Sequence, residues 1–168
     1  MISTYLAYLF SGLAVLFAIS TILQRNPVYS AASLIGVMVM LACNYVLLNA
    51  EFIAAIQIIV YVGAIMVLFV FVIMLLNLER AKREKLLISR RAVGVLLGLA
   101  LSLKLAMVGY ASKILIESGR LKIPEGMGST QVIGKYLFSN YLLPFEVASL
   151  VLLVGLIGAV VLGKREAS

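Results

Sequence analysis

Five long apolar runs, separated by short polar stretches, dominate the hydrophobic pattern of this chain. A transmembrane helix needs about 20 predominantly apolar residues to cross the hydrocarbon core, and each run comes close to that length or exceeds it. The predicted spans are residues 4–23, 30–48, 52–78, 92–112 and 143–162. The pattern predicts an all-α integral membrane protein, with residues 1–168 as a single transmembrane domain. The loop over residues 113–142 should be irregular or partly amphipathic.

Turn-forming residues account for two of the boundaries between spans. Pro27 follows a polar stretch at the end of the first span, and proline biases the residue before it away from the helical conformation. Asn49 and Glu51 interrupt the apolar pattern between the second and third spans. Both boundaries predict short turns between neighbouring helices.

The distribution of basic residues predicts how the chain crosses the membrane. If the five spans alternate in direction, nine lysines and arginines share one side: Arg25, Arg80, Lys82, Arg83, Lys85, Arg90, Arg91, Lys164 and Arg165. The opposite side carries four: Lys113, Arg120, Lys122 and Lys135. Cytoplasmic loops carry an excess of lysine and arginine, so we expect the N-terminus outside and the C-terminus in the cytoplasm. The basic loop after the third span is then a topology signal.

Composition narrows the possible functions. Hydrophobic residues make up 64% of the chain and charged residues 12%, which is outside the range typical of soluble domains. The net charge of +7 comes from residues beside apolar runs, so we expect no nucleic-acid partner. Histidine and aspartate are absent, and Cys43 is the only cysteine. We therefore expect no metal site, no Ser-His-Asp triad and no internal disulfide.

The third span carries residues that weaken or complicate a helix in lipid. Residues three and four apart share a helix face, which places Ala54, Gln57, Tyr61 and Ala64 on one stripe. A buried amide is costly in lipid unless it is hydrogen-bonded, so we expect this stripe to face protein or water. Gly63 lowers helix stability by about 1 kcal/mol relative to alanine. Periodicity alone leaves two interpretations open, namely close helix packing and a turn that changes its hydrogen bonds.

Three segments of the chain match a known family. The most specific is AEFIAAIQIIVYVGAIMVLFVFVIMLLNLE in the third span. It is accompanied by NPVYSAASLI at the start of the second span and by FEVASLVLLVGLIGAVVLGKRE near the end of the chain. Together these segments resemble subunit J (ND-six type) of bacterial respiratory complex I, the proton-pumping NADH:quinone oxidoreductase. The fourth span and the loop that follows it add nothing to the resemblance.

The resemblance implies a function inside a larger enzyme. The chain would be a membrane-arm subunit of this translocase, helping to form and gate the proton or water path that couples quinone reduction to proton translocation. The implied partners are other complex I membrane subunits, especially the H, K, A and N types, in the bacterial inner (cytoplasmic) membrane. NADH, FMN, iron–sulfur clusters and quinone are expected on partner subunits. With one cysteine and no nucleotide fingerprint, we expect no cofactor and no catalytic redox centre in this chain.

The resemblance also implies a π-bulge in the third helix, near the tyrosine and glycine that are here Tyr61 and Gly63. We predict a hinge formed by six residues: Tyr61, Val62, Gly63, Ala64, Met66 and Val67. A π-bulge rotates the segment beyond it by about 100° relative to an uninterrupted α-helix. In the family, that rotation is proposed to open or close a water path between the quinone cavity and the central chain of charged residues.

Three polar residues are candidates for that path: Gln57, Lys104 and Glu146. Glu146 lies about 6 Å into the fifth span by helical rise, and Lys104 lies about 18 Å beyond Arg91 in the fourth. Because these helices run in opposite directions, a Lys104–Glu146 ion pair is one interpretation, and a lysine that extends its ammonium to the outer interface is the other. For Glu146, a structural contact with a neighbouring subunit and a proton-path role both stay open.

Two other functions stay open. The chain would be a purely structural or assembly subunit of the membrane arm if its third span never changes its hydrogen bonds. A small independent transporter would be indicated by internal repeats or several charges at the bilayer midplane, and the sequence has neither.

Overall fold

The computed structural model of the chain describes residues 2–76, 88–118, 126 and 128–164. Within these ranges it forms α1 (Ile2–Leu23), α2 (Pro27–Leu47), α3 (Glu51–Ile56), a π-helical segment (Gln57–Met66), α4 (Val67–Leu75), α5 (Ile88–Glu117), α6 (Thr130–Ser139) and α7 (Leu142–Gly163). These residues contain no β-strand, which confirms the predicted all-α fold. The predicted basic loop at residues 80–85 and the basic C-terminal end at Arg165 lie outside the described residues.

Five helical stretches are long and apolar enough to cross a membrane: Ile2–Leu23, Pro27–Leu47, Glu51–Leu75, Gly94–Ile114 and Leu142–Gly163. They confirm the five predicted spans and are those of a multi-pass membrane protein. We call Glu51–Leu75 the third span; it is one continuous helical stretch made of α3, the π-helical segment and α4.

The start of α2 shows why the second span begins three residues before the predicted Ser30. The Asn26 side chain accepts a hydrogen bond from the backbone N–H of Val28 at 2.9 Å, and Pro27 occupies the first turn. An asparagine cap satisfies a backbone donor that the helix leaves unpaired, and proline at the first position has a backbone angle suited to a helix. The same proline that ends the first span therefore begins the second.

The turn between α2 and α3 is closed by backbone hydrogen bonds. Ala50 donates its backbone N–H to Tyr45 O at 2.9 Å, and Asn49 donates to Val46 O at 3.0 Å. These two bonds form a Schellman motif, and Asn49 takes the left-handed conformation that this motif requires, with φ of 57°. Asparagine tolerates that conformation better than most residues, which explains why the chain reverses here.

The predicted loop over residues 113–142 contains a helix. Ser129 caps α6 by accepting a hydrogen bond from the backbone N–H of Val132 at 3.4 Å. A turn at Asn140 and Tyr141 then leads directly into α7. The amphipathic part of the prediction is therefore formed by α6, while residues 119–125 lie outside the described part of the chain.

The chain divides into two units, one formed by residues 1–68 and 126–168 and the other by residues 69–125. In the first unit, α2 packs along α1 on one side and along α3 and the π-helical segment on the other. Small residues allow this close approach: Ala14, Ala31, Ala42 and Ala54 are buried. The second unit contains α5. The prediction of a single domain stays a prediction.

Close contacts and hydroxyl groups join α1 to α2. A Cβ atom at Gly36 would lie 2.8 Å from the Phe17 ring, so only glycine fits at this crossing without displacing the ring. The hydroxyls of Ser20 and Ser33 lie 3.0 Å apart, and Ser30 donates its hydroxyl to Thr21 O at 2.6 Å. Hydroxyls that are bonded between helices avoid the cost of an unpaired polar group in an apolar environment.

The chain just before α6 contacts the turn between α2 and α3. A Cβ atom at Gly128 would collide with the Asn49 carbonyl oxygen and would lie 2.8 Å from Ala50 Cα. Both neighbours are backbone atoms, which cannot rotate away as a side chain can. Gly128 is therefore required for this close approach to the start of the third span.

Candidate functional site, a π-helical segment in the third span

The backbone of the third span changes its hydrogen-bond pattern in the middle of the membrane-spanning stretch. Residues Gln57–Met66 form a π-helix of 10 residues, flanked by α3 and α4. The predicted π-bulge in the third helix is thereby confirmed. The segment begins before the predicted hinge at Tyr61 and ends one residue before Val67, which is the first residue of α4.

Local sequence explains why this stretch accepts the wider turn. Ile58, Ile59, Val60 and Val62 are β-branched, and such residues lose side-chain freedom in an α-helix. Gly63 has no side chain that could crowd the backbone of the wider turn. A Cβ atom there would lie 3.3 Å from the Ile58 carbonyl oxygen, which is tighter than an ordinary van der Waals contact.

The buried residues of the π-helical segment are not spaced as they would be in an α-helix. Gln57 and Met66 are buried, with 8% and 6% of their surface exposed, and Val62 between them is half-buried. Tyr61 is 46% exposed and Ala64 is also exposed. Of the predicted stripe of Ala54, Gln57, Tyr61 and Ala64, the first two residues are therefore buried within the chain and the last two are exposed.

The spacing of the buried residues follows from the number of residues in each turn. An α-helix has 3.6 residues per turn, so nine residues make two and a half turns and place Gln57 and Met66 on opposite faces. A π-helix bonds residue i to residue i+5 and has roughly 4.4 residues per turn, so nine residues complete about two turns. Gln57, Val62 and Met66 therefore share a face only while the segment stays in the π form.

The buried amide of Gln57 finds its partner on α2. Its Nε2 donates to the Met38 sulfur at 3.0 Å. Thioether sulfur is a weak and polarizable acceptor, so this contact satisfies the amide without holding it as firmly as an oxygen would. Met38 was not among the predicted site residues, because nothing in the local sequence of α2 distinguishes it from the other apolar residues there.

The two charged candidates lie elsewhere. Glu146 is an exposed residue of α7, and its backbone carbonyl accepts the Ser149 hydroxyl at 2.7 Å. Lys104 is an exposed residue of α5. The two residues belong to different units, so their pairing stays a prediction.

The groups at this site are suited to packing and hydrogen bonding and are not those of covalent chemistry. The π-helical segment packs against α2, and its buried or half-buried residues are Gln57, Val62 and Met66, which carry an amide, an isopropyl group and a thioether. A change from i→i+5 to i→i+4 bonding would exchange which side chains face α2, with no bond made or broken except backbone and amide hydrogen bonds.

Comparisons with known proteins agree on one family. A family model described as NADH-ubiquinone/plastoquinone oxidoreductase chain 6 matches residues 4–162. NADH-quinone oxidoreductase subunit J of Rhodobacter capsulatus is 38% identical over 162 residues, which cover 95% of this chain and 80% of the relative. NAD(P)H-quinone oxidoreductase chain 6 of Leptolyngbya boryana is 41% identical over 156 residues, covering 89% of this chain and 73% of the relative. The similarity includes the whole π-helical segment.

Proposed function

The chain belongs to the NADH-ubiquinone/plastoquinone oxidoreductase chain 6 family, and on that premise we propose that it is a membrane-arm subunit of a proton-translocating NADH:quinone oxidoreductase. Its partners are the neighbouring membrane subunits, of the H, K, A and N types, in a bacterial inner membrane. NADH, FMN, iron–sulfur clusters and quinone are held by other subunits. The names of the relatives and the five apolar helices support this assignment.

We propose further that the π-helical segment gates the water or proton path through this subunit. The observation that carries the proposal is the burial of Gln57 and Met66 on one face, which an α-helix would place on opposite faces. Conversion to the α form with Gln57 held in place would turn Val62 and Met66 away from α2, bring Ala64 toward α2, and keep Tyr61 on the side of Gln57. A small side chain beside a phenol hydroxyl would then replace two bulky apolar ones.

This exchange would change how water enters the interface. Water needs two to four polar partners to occupy a buried site, and Val62 and Met66 offer none beyond a weak thioether acceptor. The Tyr61 hydroxyl can both donate and accept. The π form therefore closes the path and the α form opens it, while α4 rotates with the change of register. Glu146 on α7 is one candidate to extend the polar path, and Lys104 on α5 is a separate candidate.

Substitution of Gly63 by valine tests the gate. In the π form the Cβ atom of the new side chain would lie 3.3 Å from the Ile58 carbonyl oxygen. This crowding should outweigh the side-chain freedom that valine loses in an α-helix and favour the α form by about 1 kcal/mol. A bias of that size shifts the equilibrium about five-fold. We expect an assembled complex that translocates fewer protons per NADH oxidised, measured by pH change in sealed vesicles. Gly12→Val is the matched control, because a Cβ atom at Gly12 meets nothing within 4 Å.

A purely structural role is the second candidate. It is favoured by the packing of α2 against both α1 and the third span. Under this alternative, Gly63→Val would lower the amount of assembled complex, and the complexes that do assemble would keep the wild-type proton yield. Full assembly with a wild-type proton yield would contradict the gate.

A further inference from the structure

Helix α6 has one polar and one apolar side. Gln131, Lys135 and Ser139 recur every four residues and form the polar side, which includes the only charged residue of this helix. The other side is apolar and consists of Ile133, Tyr136 and Leu137, with Val132 at its edge, whereas Phe138 lies beside Gln131. Helices of this kind lie in the plane of a membrane interface, with the apolar side about 5–10 Å below the headgroups.

A pocket opens on the apolar side of α6. It has a volume of about 270 Å³ and is lined by Val132, Ile133, Tyr136, Leu137 and Tyr141. Its surface is almost entirely apolar. This surface offers water almost no polar partners, so an apolar group is the better occupant of this open pocket.

The connection to α7 places α6 at the start of a helix that is long and apolar enough to cross a membrane. Asn140 and Tyr141 both donate their backbone N–H groups to Tyr136 O, at 2.9 Å and 3.0 Å, and α7 begins at the next residue. The rings of Phe138 and Phe145 meet edge to face, with centroids 5.2 Å apart, and join α6 to the first turn of α7. Tyr136 and Tyr141 therefore lie at the end of a membrane-spanning helix, where tyrosine is enriched in membrane proteins.

We propose that α6 is an interfacial lipid-binding helix and that its pocket holds an acyl chain of a membrane phospholipid. The apolar side of α6 continues into the apolar and exposed surface of α7, so both meet the same hydrocarbon. Lys135 is exposed on the polar side, at the level where headgroup phosphates lie. A bilayer therefore offers hydrocarbon to the apolar side of α6 and headgroups to its polar side.

The absence of tryptophan from the sequence makes a direct test possible. The full chain would be reconstituted in phosphatidylcholine vesicles carrying bromine either near the headgroup or near the bilayer centre. Tyr136→Trp provides one fluorophore on the apolar side of α6. We expect bromine near the headgroup to quench it at least about twice as strongly as bromine at the centre, given the shallow depth of interfacial helices.

Two matched variants complete the test. Gln131→Trp, on the polar side of α6, should be quenched far less by either lipid. Leu153→Trp, in α7, should be quenched most by bromine at the bilayer centre. Equal quenching of Tyr136→Trp and Gln131→Trp in a chain whose Leu153→Trp variant is quenched at the centre would overturn the proposal.

Crosslinking in cell membranes provides an independent measurement. A benzophenone amino acid at position 136 should crosslink to lipid when illuminated, whereas the same group at position 131 should not. Crosslinking of position 136 to another polypeptide would show that a protein covers this side of α6 and would overturn the proposal.

Discussion

At the scale of single residues, the amide of Gln57 is held by one weak contact. Its Nε2 lies 3.0 Å from the Met38 sulfur, in a position where only 8% of the residue is exposed. A buried donor that loses its acceptor costs about 1–3 kcal/mol. The contact is therefore strong enough to favour one arrangement and weak enough to be replaced during a change of register.

The contact between Gln57 and Met38 predicts coupling between the two residues. Met38→Leu keeps the volume nearly unchanged but removes the acceptor, and should lower the free energy of unfolding by about 1–3 kcal/mol. Adding Gln57→Leu removes the unpaired donor, so the double variant should be more stable than Met38→Leu alone. Denaturation of the full chain in mixed micelles measures all three variants. Effects that add within about 0.5 kcal/mol would contradict the contact.

The residue-level prediction from sequence was correct where the backbone is α-helical. Ala54 and Gln57 were placed on one stripe and both are buried. Beyond Gln57 the predicted stripe assumed 3.6 residues per turn, which the π-helical segment does not keep, so Ala64 leaves the face of Gln57, and Tyr61 is 46% exposed. The pattern of polar and apolar residues could not reveal the change from α to π hydrogen bonding, since every residue near this point except Gln57 and Tyr61 is apolar or glycine.

At the scale of elements, α1 and α2 are held together at a glycine. The Phe17 ring lies 2.8 Å from the position of a Cβ atom at Gly36, closer than real Cβ contacts allow. The ring must therefore move if any side chain is added. The pair gains its stability from contact that larger residues would prevent.

Substitution of Gly36 by alanine should destabilise the pair of helices. Overpacking of this kind costs about 1–3 kcal/mol, which exceeds the gain of about 1 kcal/mol from replacing glycine with alanine in a helix. Gly12→Ala has the same helical gain and meets nothing within 4 Å, so it should leave stability unchanged or raise it. The free energy of unfolding in mixed micelles measures both. Equal effects of the two variants would contradict the close packing.

The contact at Gly128 predicts that alanine at this position and alanine at Gly134 will have different effects on the turn before the third span. Gly128→Ala would place a side chain against the backbone of Asn49 and Ala50, and should separate the chain before α6 from the turn that begins the third span. Amide hydrogen exchange at residues 49–51 should therefore become faster. Gly134→Ala, in α6, meets nothing within 4 Å and should leave that exchange unchanged. Unchanged exchange in Gly128→Ala would show that the contact does not hold the turn.

The five spans could be predicted from hydropathy because each crosses the same thickness of hydrocarbon. The start of α2 at Pro27 could have been predicted as well, since Asn26 before a proline is a helix-start signal. The contact of Gly128 with Asn49 could not, because the two residues are distant in sequence and nothing near either one signals the other.

At the scale of the whole molecule, orientation is still a prediction from the basic residues. In a variant with Cys43→Ala, a cysteine at position 135 should react with an impermeant maleimide added outside the cell. A cysteine at position 25 should react only after the membrane is opened. The reason is the excess of lysine and arginine expected on the cytoplasmic side. Labelling of position 25 from outside would show that the chain has the opposite orientation.

Helix α7 also presents a large apolar surface that the other helices of its unit do not cover. All of the described side chains of α7 are exposed, and most of the residues exposed there are leucine or valine. Lipid and neighbouring subunits must cover this surface, which agrees with a subunit of a larger membrane complex. The sequence predicted such a subunit through its resemblance to the family, but it could not show which helix faces which partner.

The central claim is that residues 57–66 change between π and α hydrogen bonding during turnover. High-resolution structures of the assembled complex, at rest and during oxidation of NADH, measure this register directly. We expect the π form with Met66 against α2 in one state, and the α form with Ala64 in its place in another. The same register in every state, with Met66 always buried against α2, would contradict the claim.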